Sequence, residues 1–246
     1  MSDRQERPIE ERGRKNPQKK GHRHHCSGEG EDKNAHAEQE VRILIGSASI
    51  QVSEAVRRRM GQSIEWIPSP HFGERGGTVD TVVVHYTVTG SVDETVGLFR
   101  MVDKPASAHY VIGKDGQIVQ MVDLERKAWH AGTSAFHGRP DVNDFSVGIE
   151  LVNWGLLKET DGVFFVWPEE YRMEYRGGPP VYAGGEWWDT FPEIQYHATA
   201  GLIEQIREHY PLITPDRIVG HGDVALPKGR KIDPGLAFDW ERVRRR

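Results

Sequence analysis

Two histidines stand at the ends of short β-branched runs. His85 closes Val82-Val83-Val84, and His221 follows Ile218-Val219-Gly220. Twelve residues beyond His221 comes Asp233, in Gly229-Arg230-Lys231-Ile232-Asp233-Pro234-Gly235, a loop stiffened by proline and tightened by glycine. An imidazole at the end of a buried strand emerges at the edge of its sheet. Two imidazoles and one carboxylate with a fourth position open have the composition of a catalytic zinc site. The local spacing leaves other readings open. A strand-end histidine also serves as a hydrogen-bonded structural residue, Asp223 lies close to His221 as a second candidate ligand, and Asp-Pro is a common turn.

Glu150 adds a fourth group. It lies in Val147-Gly148-Ile149-Glu150-Leu151-Val152, a strand otherwise made of apolar and small residues. A carboxylate buried there unpaired is expensive, so it needs a partner or a task; strand alternation also permits an outward-pointing glutamate. Beside a zinc-bound water its pKa would suit general-base work. Lys231, two residues before Asp233, would carry a fixed positive charge into the same region, or stand as an ordinary exposed lysine in Lys228-Gly229-Arg230-Lys231.

A small set of elements must position these side chains. Residues 79–87 (VDTVVVHYT) are rich in β-branched side chains and predict a strand partly buried on both faces. Ser91-Val92-Asp93-Glu94 is a capping box, and Val92, Val96, Phe99 and Met101 or Val102 continue at helical spacing to about residue 102. Residues 107–121 form two alternating runs joined at Lys114-Asp115-Gly116, a hairpin signal. Residues 145–152 predict another strand, and 217–220 a short closing one. The longest amphipathic helix is expected over 192–210, with Pro192 in its first turn and Ile194, Ala198, Leu202, Ile203, Ile206 and Tyr210 on its apolar face. Strands and helices alternate without repeats, which predicts an α/β fold: one domain with a central mixed β-sheet flanked by helices.

Composition bounds the function classes. The 246 residues carry 32 Lys and Arg against 37 Asp and Glu, a net charge of −5 that does not favour a nucleic-acid partner. No stretch approaches the roughly 18 apolar residues that span a bilayer, so no membrane span is expected. Cys26 is the single cysteine, which rules out an intrachain disulfide and a thiolate zinc cluster. Residues 1–40 hold five apolar side chains among nine basic and nine acidic ones, and predict a disordered tail. His22, His24 and His25 in that tail could chelate a metal loosely. Residues 41–66 read as an N-terminal extension and 67–246 as the folded domain, long enough for one well-buried core. No apolar signal region follows Arg4 or Arg7, so the expected location is cytoplasmic.

The motifs together carry a resemblance. Val82-Val83-Val84-His85-Tyr86-Thr87, Ser107-Ala108-His109-Tyr110, Ala128-Trp129-His130-Ala131-Gly132, 143–150 (NDFSVGIE), Gly220-His221 and 229–235 (GRKIDPG) occur in this order. Over about 67–240 the chain resembles the N-acetylmuramoyl-L-alanine amidases of the amidase type 2 family, which includes AmpD-like enzymes and phage lysozyme-type amidases. The resemblance implies a zinc hydrolase that cuts the amide between the lactyl group of N-acetylmuramic acid and L-alanine of the peptidoglycan stem peptide. It implies His85, His221 and Asp233 as ligands of Zn2+, Glu150 as general base and Lys231 as the group that stabilises the oxyanion. It also implies that Trp129, His130 and Asn143 face the substrate. His109 is expected to support a neighbouring strand or to orient a group behind the ligands, and Tyr86, next to a ligand, to face away from the metal.

Three departures from the family pattern stand out. Some phage members carry Tyr where this chain has Ala108, which points to the Glu150-based arrangement of the AmpD-like branch. The loop from His221 to Asp233, with Ala225-Leu226-Pro227-Lys228, looks slightly longer than in compact AmpD-like enzymes. Residues 155–190, rich in Trp, Tyr, Phe, Gly and Pro, look like an insertion. Trp187 and Trp188 in it would offer flat faces to sugar rings, extending the groove toward polymeric peptidoglycan; a structural flap is the other reading. The expected partner is peptidoglycan or a muropeptide, met by a monomer that either recycles fragments or is released by a phage lysis system. Rival functions are a peptidoglycan-binding module without catalysis, as among peptidoglycan recognition proteins, and a zinc hydrolase of another N-acyl amino acid or peptide.

Overall fold

The computed structural model describes residues 64–168 and 173–244, all within one unit, Gly46–Arg246. The expected tail at 1–40 and most of the extension at 41–66 lie outside the described residues. In chain order the elements are β1 (Glu65–Trp66), β2 (Phe72–Glu74), β3 (Thr81–Tyr86), α1 (Val92–Phe99), β4 (Tyr110–Ile112), β5 (Ile118–Gln120), β6 (Arg126–Ala128), β7 (Ala135–Phe136), β8 (Arg139–Pro140) and β9 (Ser146–Leu151). They continue with β10 (Leu156–Thr160), β11 (Val163–Val166), β12 (Val181–Ala183), β13 (Glu186–Trp188), α2 (Glu193–His209), β14 (Ile218–Gly220) and the one-turn α3 (His221–Val224).

Among the described residues the main sheet has six strands, in the order β1-β5-β4-β9-β3-β14. β4, β9, β3 and β14 run parallel to one another, while the β4–β5 hairpin is antiparallel, so the sheet is mixed as expected. β1 pairs with β5 through Glu65 and Trp66, so the sheet begins ahead of the boundary expected at residue 67. Asp115 Oδ1 accepts from the Gln117 N–H (3.0 Å) and Gly116 adopts φ 86°, which closes the hairpin where its turn signal stands.

Burial follows from strand alternation. Val82, Val84, Ile112, Val147, Ile149 and Leu151 line one face, under Ala198, Leu202, Ile203 and Ile206 of α2. The opposite face carries Val83, Val111, Gly148 and Glu150, with His85 beside Glu150 in the β3–β9 register. α1 covers part of that second face through Val92 and Val96 on Val111 and Val119. Ala131, Val142 and Phe145 cover another part through Val83 and Val219.

Two helices differ in detail from expectation. α2 leaves Ile194 48% exposed and buries Gln195, Tyr196 and Thr199 instead. The reason is polar: the Gln195 amide donates to the carbonyls of Ile112 (3.0 Å) and Val152 (3.1 Å) near the ends of β4 and β9, adding to the bond that Ile112 accepts from the Val152 N–H (2.9 Å). Pro192 is the N-cap rather than a residue of the first turn. α1 stops at Phe99 because Met101 and Val102 find no face to bury and are exposed.

The strands β10 to β13 form their own antiparallel sheet, in the order β11-β10-β13-β12. Trp187 is half-buried between Phe164 and Tyr182, with ring centroids 5.2 and 5.0 Å away. Trp188 is 4% exposed, and its ring lies so close to Gly235 that a Cβ there would overlap it. Leu236 meets Gly184 in the same way. The inserted sheet therefore docks on the loop that carries Asp233, and Trp188 does not offer the free stacking face expected of it. Asp189 anchors the sheet from a fully buried position, accepting from Lys114 Nζ (2.6 Å), Tyr175 Oη (2.7 Å) and the Trp154 N–H (2.8 Å).

Candidate metal centre and active site

The parallel register of β3 and β9 pairs His85 with Glu150, so both side chains leave the same face near the carboxyl ends of the strands. That is where ligands bind in open α/β sheets. β14, next to β3, delivers His221 as the first residue of α3. The Asp233 loop folds back over this turn, and the Gly222 N–H donates to the Asp233 carbonyl (3.0 Å). A Cβ at Gly220 would stand 2.7 Å from Pro234 Cδ, and one at Gly222 3.1 Å from the Lys231 carbonyl, so two glycines permit the close approach.

The result is a buried cluster of His85, His221 and Asp233, whose candidate ligand atoms all lie within 4.8 Å of one another. Asp233 Oδ2 lies 3.0 Å from His85 Nδ1 and 3.1 Å from His221 Nδ1. Asp223 is not part of it: its Oδ2 accepts from the Gly220 N–H (2.8 Å) and caps the turn.

The chemistry of the donor set fits a cation. His221 Nε2 lies 3.1 Å from the Ala131 carbonyl, which can only accept, so the ring carries its proton on Nε2. The lone pair on Nδ1 then faces the Asp233 carboxylate, two acceptors in contact that call for a positive charge between them. Burial pushes His85 down to about 4 against the pull of Asp233, leaving it neutral at pH 7 and able to ligate.

Glu150 stands beside the cluster, 9% exposed, and its Oε2 has no hydrogen-bond partner among the described residues. Burial pushes its pKa well above the ordinary value, the Asp233 charge adds to this, and Lys231 opposes it. Lys231 is exposed on the Asp233 loop, with its ammonium near enough to bias both Glu150 and His85.

The expected substrate-facing residues divide. Trp129 remains on the surface, with its ring 5.6 Å from that of His71. His130 does not line a groove: it is 9% exposed, with Nδ1 3.0 Å from His85 Nε2 and Nε2 3.2 Å from Ser146 Oγ. Asn143 Oδ1 accepts from the N–H groups of His130 (3.2 Å) and Ala131 (2.9 Å), so its carbonyl end holds that loop rather than a ligand. His109 supports strands as expected, its Nδ1 accepting from the Gly148 N–H (3.0 Å) and its Nε2 donating to the Arg126 carbonyl (3.0 Å). Tyr86 lies with the α2-side core, away from the cluster's face. The sequence reading missed Ser146 and Gly148. The signal for Gly148 was a glycine inside a β-branched strand, which marks a close approach: a Cβ there would overlap the His130 ring.

A mixed sheet bearing a buried His-His-Asp cluster beside an unpaired carboxylate describes an α/β hydrolytic domain. Residues 75–236 match the Amidase_2 family model, described as N-acetylmuramoyl-L-alanine amidase, and the chain belongs to that family of enzymes. It is 34% identical over 195 residues to the 1,6-anhydro-N-acetylmuramyl-L-alanine amidase AmpD of Haemophilus influenzae, covering 72% of this chain and 88% of that one. Among solved structures, that of a Se-Met AmpD derivative matches with a TM-score of 0.50 and 28% identity, over 74% of this chain and 92% of that one. The amidase AmiD from Escherichia coli, in complex with anhydro-N-acetylmuramic acid-L-Ala-D-gamma-Glu-L-Lys, matches with a TM-score of 0.51 and 27% identity, over 70% of this chain and 64% of that one.

Proposed function

We propose that the chain is a zinc enzyme that hydrolyses the amide between the lactyl group of N-acetylmuramic acid and L-alanine of the stem peptide, with 1,6-anhydro-muropeptides among its substrates. The observation that carries this reading is the meeting of the buried side chains of His85, His221 and Asp233 next to Glu150 Oε2, which has no hydrogen-bond partner among the described residues. The names of the AmpD relatives support the substrate class.

His85, His221 and Asp233 would hold the ion. Zinc in such a site supplies Lewis acidity, making water acidic near neutral pH and polarising a carbonyl. Glu150 does the proton work: Oε2 accepts a proton from the attacking water and returns it to the departing alanine nitrogen. A carboxylate that takes up the water's proton can give it back to the leaving amine, so one group serves both halves. The Lys231 ammonium balances negative charge as it develops on the scissile carbonyl oxygen. Trp129 offers a flat, half-open face to sugar or peptide.

The test is digestion of purified peptidoglycan and of a soluble anhydro-muropeptide, read by mass spectrometry beside metal analysis. Free stem peptides with intact glycan are expected. Unchanged substrates from a zinc-loaded protein would leave a binding module instead.

A further inference from the structure

The buried side chains behind His85 form a chain whose polarity is set at its far end. Ser146 Oγ lies 2.7 Å from the Val142 carbonyl. A carbonyl oxygen only accepts, so the Ser146 hydroxyl donates to it, and the hydroxyl oxygen is left as an acceptor. His130 Nε2, 3.2 Å from that oxygen, must carry a proton to fill it. His130 Nδ1 is then a lone pair, and His85 Nε2, 3.0 Å away, must be the donor. The His85 proton is thereby drawn to the side away from Asp233. His221 reaches the same state in one step, through the Ala131 carbonyl.

We infer that His130 and Ser146 are positioning residues that fix His85 in the tautomer whose Nδ1 lone pair faces Asp233 and the metal locus. The inference deepens the proposed metal centre and rests on it for its effect on affinity. A second feature supports it. Gly148 clears the space the His130 ring fills on β9, where a Cβ would overlap the ring. Asn143 Oδ1 pins the backbone N–H of the same residue. Ser146, His130 and Gly148 are thus built around one another, and the outermost acceptor is main chain, which no change of protonation can reverse. An imidazole whose second nitrogen has a fixed acceptor is held in orientation and tautomer, and loss of such a partner costs about 10–100-fold in metal affinity.

The experiment uses the full chain with ¹⁵N-labelled histidine. Long-range ¹H–¹⁵N correlation on the metal-free protein reads the tautomers directly, and chelator competition measures the zinc Kd. His85 and His130 are both expected as Nε2–H tautomers. In His130→Leu, His85 is expected to populate both tautomers and the zinc Kd to rise about 10–100-fold. His130→Asn puts an amide oxygen near the position of Nδ1 and is expected to restore both readouts to within a few-fold. Ser146→Ala, which alters only the outer link, should shift both in the same direction by less. A wild-type His85 carrying its proton on Nδ1 would overturn the inference, as would a His130→Leu protein with unchanged tautomer and Kd. Failure of the wild type to bind zinc, with the tautomers as stated, would refute the metal reading while upholding the tautomer assignment.

Discussion

Glu150→Gln separates turnover from stability, because the two effects have opposite signs. The substitution keeps the shape of the side chain and removes its charge. Glu150 is 9% exposed with an unpartnered Oε2, so its ionised form carries a desolvation cost. An unsatisfied buried acceptor costs about 1–3 kcal/mol, and more when charged. Relief of part of that cost should raise the melting temperature of the metal-free protein at pH 8, at about 2–4 °C per kcal/mol for a domain of this size. The pH dependence follows from the direction of the shift. The folded-state pKa lies above the unfolded value of 4.5, so the parent protein loses stability as pH rises through the folded value. Below 4.5 both side chains are neutral, and the advantage of the glutamine should vanish. Turnover should fall by about 10²–10⁴ with zinc content unchanged, the range of a lost general base. The measurements are stem-peptide release, bound zinc, and calorimetry from pH 4 to pH 8. A variant within about tenfold of parental kcat would remove the base role, given the usual size of that effect. A stability difference that does not change with pH would refute the buried-charge argument.

Other outcomes follow from the same geometry. Asp233→Ala should lose zinc while Asp223→Ala keeps it and loses only a turn cap, about 1 kcal/mol; metal analysis of both variants decides between them. Lys231→Ala should retain zinc and fold but lose about a hundredfold in kcat, as for one oxyanion-stabilising group, and a change confined to KM would be inconsistent with that role. Metal-free Glu150→Gln protein, in which the opposing titration of Glu150 is removed, should weaken as pH falls below 6.5, since burial holds His85 to about 4 and His109 to about 3. Their folded-state values lie below the unfolded one, so each adds a slope of about 1.4 kcal/mol per pH unit until it protonates; equal urea midpoints at pH 7.5 and pH 5 would contradict this. Trp188→Ala empties the contact with Gly235 and should cost on the order of 3 kcal/mol, with weaker zinc binding because Asp233 sits two residues away. Unchanged stability would mean that the inserted sheet does not brace that loop.

Much of the scaffold was legible in the sequence because its signals are local. The β-branched run before His85, the Lys114-Asp115-Gly116 turn and the Ser91–Glu94 capping pair each specify an element from a few neighbouring residues, and each stands where expected. The residue types at positions 85, 221 and 233 also announced a metal-type site, and the order of the motifs announced the family. What the local signals left open was which of two faces, or two partners, each side chain would take. Alternation allowed Glu150 to point either way; the register of β3 and β9 turned it inward beside His85. Asp223 and Asp233 were both near His221 in sequence, and only the fold-back of the loop over α3 gave one the cluster and the other the cap. Helical periodicity put Ile194 in the core, but the Gln195 amide is held there instead by the strand-end carbonyls of Ile112 and Val152. His130 looked like a groove residue beside an exposed Trp129, yet it lies beneath His85 because Gly148, on another strand, leaves it room. Sequence period states which residues share a face. Pairing between segments tens of residues apart decides what that face meets, because burial and hydrogen-bond satisfaction are settled by neighbours in space.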